Sequence, residues 1–134
     1  MTARLFKVLK NKIIKNKKGA IIKYIDKRNN FFKSFGEIYF SEIKANKTKG
    51  WNLHKKYTCI VAVPLGIVEF MIVNKKNRLS KKKITNKEIL IIPPGNWFAF
   101  KSLSKKSLVA NLINGIHKDS ETKKSKEIKN IFIK

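Results

Sequence analysis

The chain has 134 residues, 43% of them apolar, and carries 32 Lys and Arg against 8 Asp and Glu, a formal net charge of +24. This length predicts one domain, which we place over residues 1–134, with enough apolar side chains for a core that needs no metal or disulfide. The single cysteine, Cys59, excludes an internal disulfide, and no run of about 18 apolar residues is present to predict a membrane-spanning helix. The N-terminus lacks the apolar core of a secretory signal, so a cytoplasmic location is expected.

The excess of positive charge has two candidate sources. Clustered positive charge binds nucleic acid through its phosphates. Such proteins favour Arg, however, and the only arginines here are Arg4, Arg28 and Arg78. Lys, Asn and Ile are all abundant and share A/T-rich codons, so a biased genome explains the composition better than nucleic-acid binding does. A positive surface still favours an anionic ligand such as a nucleotide.

Taken in chain order, the first segments give weak signals. Lys10–Lys18 is predicted to be a solvated connection or face, as are Lys75–Lys83 and Lys123–Lys129. Gly19–Ile25 places Ile residues at helical spacing and predicts one or two helical turns. Glu37–Ile43 alternates polar with aromatic and β-branched residues, which predicts a strand.

The middle of the chain predicts an all-β fold with little helix. Tyr57–Val63 is almost continuously apolar, as in a strand buried on both faces, and Pro64–Gly66 predicts the turn that follows it. Further strands are predicted at Ile67–Val73, Glu88–Ile92, Trp97–Lys101 and Leu108–Ile113, with a polar loop at Asn74–Ser80 and either a strand or a short helix at Lys126–Ile133. Several short strands separated by turns are typical of a sandwich or barrel, and this order suits a small jelly roll.

The common catalytic motifs are missing from the sequence. It has no Gly-rich phosphate loop, no Cys cluster and no GxSxG elbow, and its few carboxylates argue against a paired-carboxylate mechanism. The two histidines, His54 and His117, lie 63 residues apart, and no further ligand stands at metal spacing, so we expect neither a metal nor a cofactor. Cys59 lies in an apolar run and is interpreted as a small buried hydrophobe rather than a nucleophile.

Polar and aromatic residues concentrate at Lys49–Lys56, with sequence KGWNLHKK. If this segment is a strand, alternation places Lys49 and Trp51 on one face and Asn52 and His54 on the other. Trp51 would then stack on a base or sugar and Lys49 would neutralise a phosphate, while His54 would exchange a proton near neutral pH. The alternative is that Trp51 fills the core and His54 is structural, and this segment alone favours that alternative.

A second cluster lies at Pro93–Phe100, where two prolines and Gly95 predict a tight turn. Trp97, Phe98 and Phe100 follow within the predicted strand. Aromatic residues at such a place either fill the end of a barrel or form the wall of a pocket. The two clusters together are therefore the predicted walls of one binding site.

Five segments, taken in order, resemble one family. They are GEIYFSEI (Gly36–Ile43), KGWNLHKK (Lys49–Lys56), AVPLG (Ala62–Gly66), IIPPGNWFAFKSLS (Ile91–Ser104) and NLINGIHKDSE (Asn111–Glu121). They resemble the cupin proteins of the dTDP-4-dehydrorhamnose 3,5-epimerase family, most closely a short branch with KxWxxHK where full-length epimerases have RGxHxQ. A more distant resemblance is to the cupin sugar 3,4-ketoisomerases, which carry RGxHxHK. The family resemblance implies a cupin-type jelly-roll β-barrel, usually a homodimer, that holds a nucleotide-linked sugar in its mouth.

The resemblance carries the family's catalytic residues over only in part. The position of the His base holds Asn52, and an amide cannot act as that base. His54 stands where the epimerases have Gln and where the ketoisomerases have a second His. Phe98 replaces a second family His, and Asn111 replaces the family's Tyr acid.

Two binding residues of the family are matched more closely. Glu121 matches a substrate-binding Glu. Lys49 matches a phosphate-binding Arg, with the charge retained and the bidentate fork lost.

We therefore hypothesise an isomerase or epimerase for a dTDP-linked 4-keto-6-deoxyhexose, which the resemblance connects with surface polysaccharide biosynthesis. His54 would be the base and His117 its partner. The substrate-binding residues would be Lys49, Trp51, Asn52, Trp97, Phe98, Asn111 and Glu121. Because three catalytic side chains of the family are replaced, activity stays an open question. The alternatives are a cupin that binds a nucleotide-sugar or another anion without turnover, a sugar 3,4-ketoisomerase, and a nucleic-acid-binding protein driven by charge.

Overall fold

The computed structural model describes residues 5–131, which form two five-stranded sheets and a separate two-stranded hairpin. The strands are β1 Lys7–Lys10, β2 Lys12–Asn16, β3 Gly19–Lys23, β4 Glu37–Lys44, β5 Thr48–His54, β6 Cys59–Leu65, β7 Val68–Val73, β8 Leu79–Ile84, β9 Glu88–Ile92, β10 Trp97–Ser102, β11 Lys106–Ile113 and β12 Thr122–Lys124. Two 3₁₀ turns lie at Asp119–Glu121 and Ile128–Asn130. Within the described residues, no helix is long and apolar enough to cross a membrane.

The two large sheets are antiparallel and enclose the main core. One has the order β1-β9-β6-β11-β4 and the other β12-β5-β10-β7-β8. Their inner faces share the buried side chains of Ile43, Val61, Val63, Val68, Phe70, Ile72, Ile84, Leu90, Ile92, Phe98, Phe100, Val109 and Ile113. Burying one such side chain contributes about 1.5–3 kcal/mol, so this inner layer is what holds the sheets together. The all-β prediction is confirmed.

The predicted helical turns at Gly19–Ile25 are wrong. Gly19–Lys23 is a strand that pairs antiparallel with Lys12–Asn16. The Ile residues are β-branched and pack readily on a pleated surface, which outweighs their helical spacing. The side chain of Asn16 accepts the backbone N–H of Lys18 at 2.8 Å and so closes the turn between the two strands.

All three Lys-rich segments that were predicted as connections or faces overlap a strand, β2 in the first, β8 in the second and β12 in the third. β8 pairs with β7, and β12 pairs with β5. Both are edge strands with exposed Lys side chains, so composition conceals their strand character. In the segment Lys126–Ile133 the structure has a 3₁₀ turn at Ile128–Asn130, and residues 132–134 lie outside the described part.

Candidate active site

A cavity of about 380 Å³ opens between the two sheets. Its apolar lining is Val61, Phe70, Phe98, Phe100 and Val109, and its polar lining is Glu37, Tyr39, Ser41, Lys49, Asn52, His54, Asn111, His117, Thr122 and Lys124. An apolar wall with a few convergent polar groups is typical of a site for a small molecule. The two predicted clusters do contribute to one site, since Lys49, His54 and Phe98 all line it.

A bulge between β5 and β10 decides which side chains of β5 reach this cavity. Asn52 pairs with Phe98 and Gly50 pairs with Ala99, so Trp51 is an extra residue between the two pairs. Gly50 has a φ of +122°, and a Cβ there would lie 2.7 Å from Ala99 atoms, so the bulge requires glycine. As a result Lys49, Asn52 and His54 all line the cavity. The prediction that Lys49 shares a face with Trp51 is wrong, because the bulge shifts the alternation.

Both tryptophans lie outside the cavity lining. Trp51 is buried in a second cluster with Val73, Ala99 and Ile131, and Trp97 packs against that cluster. The backbone of Trp51 also exchanges two hydrogen bonds with Ser125, at 2.9 and 3.0 Å. The structure thus places neither tryptophan where the sequence predicted it, in the lining of this cavity. The alternative reading of Trp51 as a core residue agrees with its burial.

His54 and Glu121 form a buried pair at the cavity wall. His54 Nδ1 lies 2.6 Å from Glu121 Oε1, and the side chains are only 6% and 5% exposed. Glu121 Oε2 accepts the backbone N–H groups of Lys56 at 2.8 Å and Tyr57 at 3.0 Å. Burial raises the pKa of Glu121, but these donors and the His54 ring outweigh it and hold that pKa below its ordinary value.

The ionised carboxylate of Glu121 determines the protonation of the ring. A carboxylate only accepts hydrogen bonds, so Nδ1 of His54 carries the proton and donates it. In the neutral ring Nε2 is then unprotonated. Among the described residues Nε2 has no hydrogen-bond partner, and His54 lines the cavity. In this tautomer Nε2 is the ring nitrogen that could accept a proton from a molecule in the cavity. Glu121 itself is not part of the lining, and it contacts the His54 ring from behind the cavity wall, so its predicted contact with substrate stays a prediction.

The opposite wall carries Tyr39 and Asn111. They are direct neighbours across β4 and β11, and Asn111 Nδ2 donates to the Tyr39 hydroxyl oxygen at 3.0 Å. The hydroxyl keeps its own proton free to donate. Burial raises the pKa of Tyr39, so the phenol stays protonated at neutral pH. Tyr39 was not among the predicted site residues, although the alternation of Glu37, Tyr39 and Ser41 on β4 is a signal that could have found it.

The structure also locates three further residues that the sequence analysis discussed, namely His117, Lys49 and Cys59. The turn after Asn111 does bring His117 to the cavity, where its backbone N–H donates to Glu37 Oε1 at 3.1 Å. Its ring Nε2 lies 3.4 Å from Asp119 Oδ1. Lys49 Nζ donates to Ser41 Oγ at 2.8 Å and so bridges the two sheets.

Burial raises the pKa of the Cys59 thiol to about 12, which agrees with its interpretation as a buried hydrophobe.

The described residues contain no group of three or more His, Cys, Asp and Glu side chains that could hold a metal ion.

No family model and no curated protein matches the sequence significantly. Several solved structures, however, are similar to this structure. A dTDP sugar isomerase from Desulfovibrio desulfuricans is 26% identical over 92% of this chain and 85% of its own, with a TM-score of 0.86. QdtA, a sugar 3,4-ketoisomerase from Thermoanaerobacterium thermosaccharolyticum in complex with TDP, is 16% identical over 96% and 97%, with a TM-score of 0.81. RmlC, a dTDP-6-deoxy-D-glucose-3,5-epimerase from Legionella pneumophila in complex with dTDP-4-keto-L-rhamnose, is 16% identical over 89% and 71%, with a TM-score of 0.80.

Both groups that the sequence resembles are thus among the similar structures, the 3,5-epimerases and a 3,4-ketoisomerase. The suspected resemblance is confirmed, and so is the cupin-type jelly-roll fold.

Proposed function

We propose that the chain is an isomerase that moves a proton next to the keto group of a dTDP-linked 4-keto-6-deoxyhexose bound in the cavity. The observation that carries this proposal is the buried pair of His54 and Glu121, because Glu121 holds Nδ1 of His54 while Nε2 has no hydrogen-bond partner among the described residues and His54 lines the cavity. The ligands named for the similar structures, TDP and a dTDP-linked keto-sugar, support this choice of substrate class.

The proposed chemistry begins at His54. Nε2 takes a proton from the carbon beside the ketone, and the C–H electron pair forms an enolate whose negative charge rests on the former carbonyl oxygen. The amide of Asn52, next to His54 on the same wall, is placed to donate a hydrogen bond to such an oxygen. Return of a proton to carbon completes the step. If the proton returns to the same carbon from the opposite face, the product is an epimer. If it is added at the former carbonyl carbon instead, the product is an isomer with the ketone at the neighbouring carbon.

The proton donor we assign is Tyr39. It lies on the sheet that faces His54, so it can protonate the enolate from the side opposite to the base. Its hydroxyl is fixed by Asn111, which is 4% exposed, and has no acceptor of its own among the described residues. His117 already has Asp119 beside its Nε2, so its catalytic role stays a prediction.

Tyr39→Phe is expected to lower product formation about 100-fold, since a positioned acid contributes roughly 10²–10⁴-fold. Proton removal by His54 should be less affected, so exchange of substrate hydrogen with D₂O should exceed product formation by a larger factor than in the wild type. Proton NMR of the reaction in D₂O measures both. Tyr24→Phe, which lies outside the cavity lining, is the matched control. A Tyr39→Phe rate equal to that of the control contradicts the assignment.

Substrate class is tested by calorimetry. The wild-type protein is expected to bind thymidine diphosphate with an affinity that falls roughly 3- to 12-fold between 50 and 200 mM salt, as one or two ionic contacts would give. A nucleic-acid-binding protein would instead bind random DNA tightly and lose about 10³-fold or more of its affinity over that range. Tight, salt-steep DNA binding without thymidine diphosphate binding would contradict the proposed function.

A homodimer is part of the proposal. β4 is an edge strand in the described sheet, and it leaves Ile38 and Phe40 exposed, by 49% and 60%. Phe35, just before this strand in the sequence, is exposed as well. An apolar edge of this kind is a liability unless another chain covers it. Light scattering is expected to give twice the chain mass for the wild type and a reduced mass for Phe40→Lys. A wild type with the mass of one chain at micromolar concentration would exclude the dimer.

The single domain, the cytoplasmic location and a place in polysaccharide biosynthesis remain predictions from the sequence.

A further inference from the structure

A groove lies on the outer face of the sheet β12-β5-β10-β7-β8, outside the barrel. It has a volume of about 630 Å³ and is lined by Trp97, Lys123, Lys124, Ser125 and Lys126. Of these five residues, only Lys124 also lines the barrel cavity. The sequence predicts Trp97 as a ligand contact inside the barrel, whereas the structure places its side chain beside this outer groove.

Strand pairing sets Trp97 and Lys123 in one row across the sheet. Trp97 pairs with Leu53 on β5, and Leu53 pairs with Lys123 on β12. Side chains that are opposite one another on neighbouring strands share a face of the sheet. Because neighbouring strands are about 4.8 Å apart, the main chains of Lys123 and Trp97 are separated by roughly 10 Å. This spacing allows one small ligand to contact the indole ring and the ammonium group together.

The groove is part of the packed fold. Trp97 is half-buried and packs against the second core cluster, which contains Trp51. The backbone of Trp51 exchanges hydrogen bonds of 2.9 and 3.0 Å with Ser125, the residue between Lys124 and Lys126. The ring and the Lys-rich segment are thus connected through Trp51, so a ligand would need to order little of the main chain when it binds.

The lining of the groove is strongly positive. It has three exposed Lys side chains and no Asp or Glu. The next residue in the sequence, Glu127, pairs with Lys129 Nζ at 3.0 Å. An anion in the groove would therefore meet three ammonium groups that have no acidic partner among the described residues.

The combination of an aromatic ring with clustered lysines is specific to this edge of the sheet. A Trp ring offers a surface on which a nucleobase can stack, and a Lys ammonium neutralises a phosphate. At the other edge, Lys81 and Lys83 on β8 are opposite Met71 and Glu69 instead. The surface lysines of the two edges are thus alike in charge, but only those at the β12 edge share a groove with a tryptophan.

We propose that the outer groove is a second ligand site, which binds a single nucleotide by stacking its base on Trp97 and neutralising its phosphate with Lys123 and Lys126. It goes beyond the proposed function, whose substrate occupies the barrel cavity. The volume of the groove lies within the roughly 300–1,000 Å³ of sites for one small molecule, which favours one nucleotide over a longer strand.

The first test is calorimetry with adenosine monophosphate, whose purine offers a large stacking surface. Lys123→Gln/Lys126→Gln is expected to weaken its binding about tenfold through the loss of phosphate contacts. The matched control is Lys81→Gln/Lys83→Gln, which removes the same charge from the other edge of the sheet and should change the affinity by less than about twofold. Equal losses in the two double variants would overturn the inference, because general attraction to a positive protein would then explain the binding.

Ribose 5-phosphate tests the role of Trp97, because it keeps the phosphate and lacks the base. The wild type is expected to bind it at least about tenfold more weakly than adenosine monophosphate. Trp97→Leu should weaken adenosine monophosphate binding about tenfold and ribose 5-phosphate binding by less than about twofold. The comparison on the wild type decides the question even if this variant does not fold. Equal affinities of the wild type for the two ligands, or no binding of adenosine monophosphate, would overturn the inference.

An oligoadenylate strand separates a free nucleotide from RNA as the source of the ligand. The wild type is expected to bind the strand within about tenfold of adenosine monophosphate, since one nucleotide fills the groove. A strand that binds more tightly than that, with an affinity that falls about 10³-fold between 50 and 200 mM salt, would assign the groove to nucleic acid and overturn the inference. These results do not depend on isomerase activity, because Trp97, Lys123 and Lys126 do not line the barrel cavity.

Discussion

His54→Gln is expected to lower the rate of deuterium incorporation into a dTDP-linked 4-keto-6-deoxyhexose about 1,000-fold, within the range of roughly 10²–10⁴ for loss of a general base. Gln retains much of the volume and offers an N–H to Glu121, so the buried carboxylate keeps a partner. What it lacks is a nitrogen lone pair at the cavity wall that can take a proton from carbon. Mass spectrometry of the sugar nucleotide after incubation in D₂O measures the rate.

The matched control is Lys56→Gln, since the Lys56 side chain is exposed and only its backbone N–H contacts Glu121. This control should exchange at the wild-type rate. Thymidine diphosphate should bind to His54→Gln within about threefold of the wild type, because His54 lies at the sugar end of the proposed ligand. Exchange retained in His54→Gln would remove His54 from the chemistry while leaving the binding site intact.

Glu121→Gln is expected to lower the same rate by about 1,000-fold, although Glu121 does not line the cavity. A Gln oxygen still accepts the N–H groups of Lys56 and Tyr57. Its amide N–H₂ then faces His54 Nδ1, which must accept instead of donate. The ring proton moves to Nε2, so the base is lost through the wrong tautomer. The ¹⁵N chemical shifts of His54 report this tautomer directly, which a purely structural role for Glu121 would not alter.

Glu127→Gln is the control for the lost charge, because Glu127 is 56% exposed and pairs with Lys129 on the surface. It should leave the exchange rate and the His54 tautomer unchanged. If Glu121→Gln retained the Nδ1-protonated ring and still lost activity, the positioning role of Glu121 would be wrong.

The strands of the core were predictable because their pattern depends on local sequence. β6 and β9 are short apolar runs between turn residues, and β4 is rich in aromatic and β-branched residues. β8 and β12 were missed because edge strands with Lys on their solvent side have the composition of a solvated loop. The Lys-rich segments around β8 and β12 therefore conceal both a sheet edge and, at Lys124, a residue of the cavity lining.

The geometry of the site was less predictable, and the reasons are tertiary. The bulge that moves Trp51 away from the cavity depends on the close approach of Gly50 to Ala99 on another strand. The pair of His54 and Glu121 joins residues 67 positions apart and exists only because β12 returns to β5. The resemblance to the epimerase family identified His54, Glu121 and Lys49 as site residues. It predicted that Glu121 binds the substrate, however, and it gave no role to Tyr39.

The most direct measurement for the proposed chemistry is ¹H NMR of a dTDP-linked 4-keto-6-deoxyglucose incubated with the wild-type protein in D₂O. We expect the hydrogen on a carbon next to the ketone to be replaced by deuterium, at a rate at least about 1,000-fold above the rate with His54→Gln. A wild-type protein that binds thymidine diphosphate but leaves every carbon-bound hydrogen of the sugar unexchanged would contradict the account and leave a binding protein in its place.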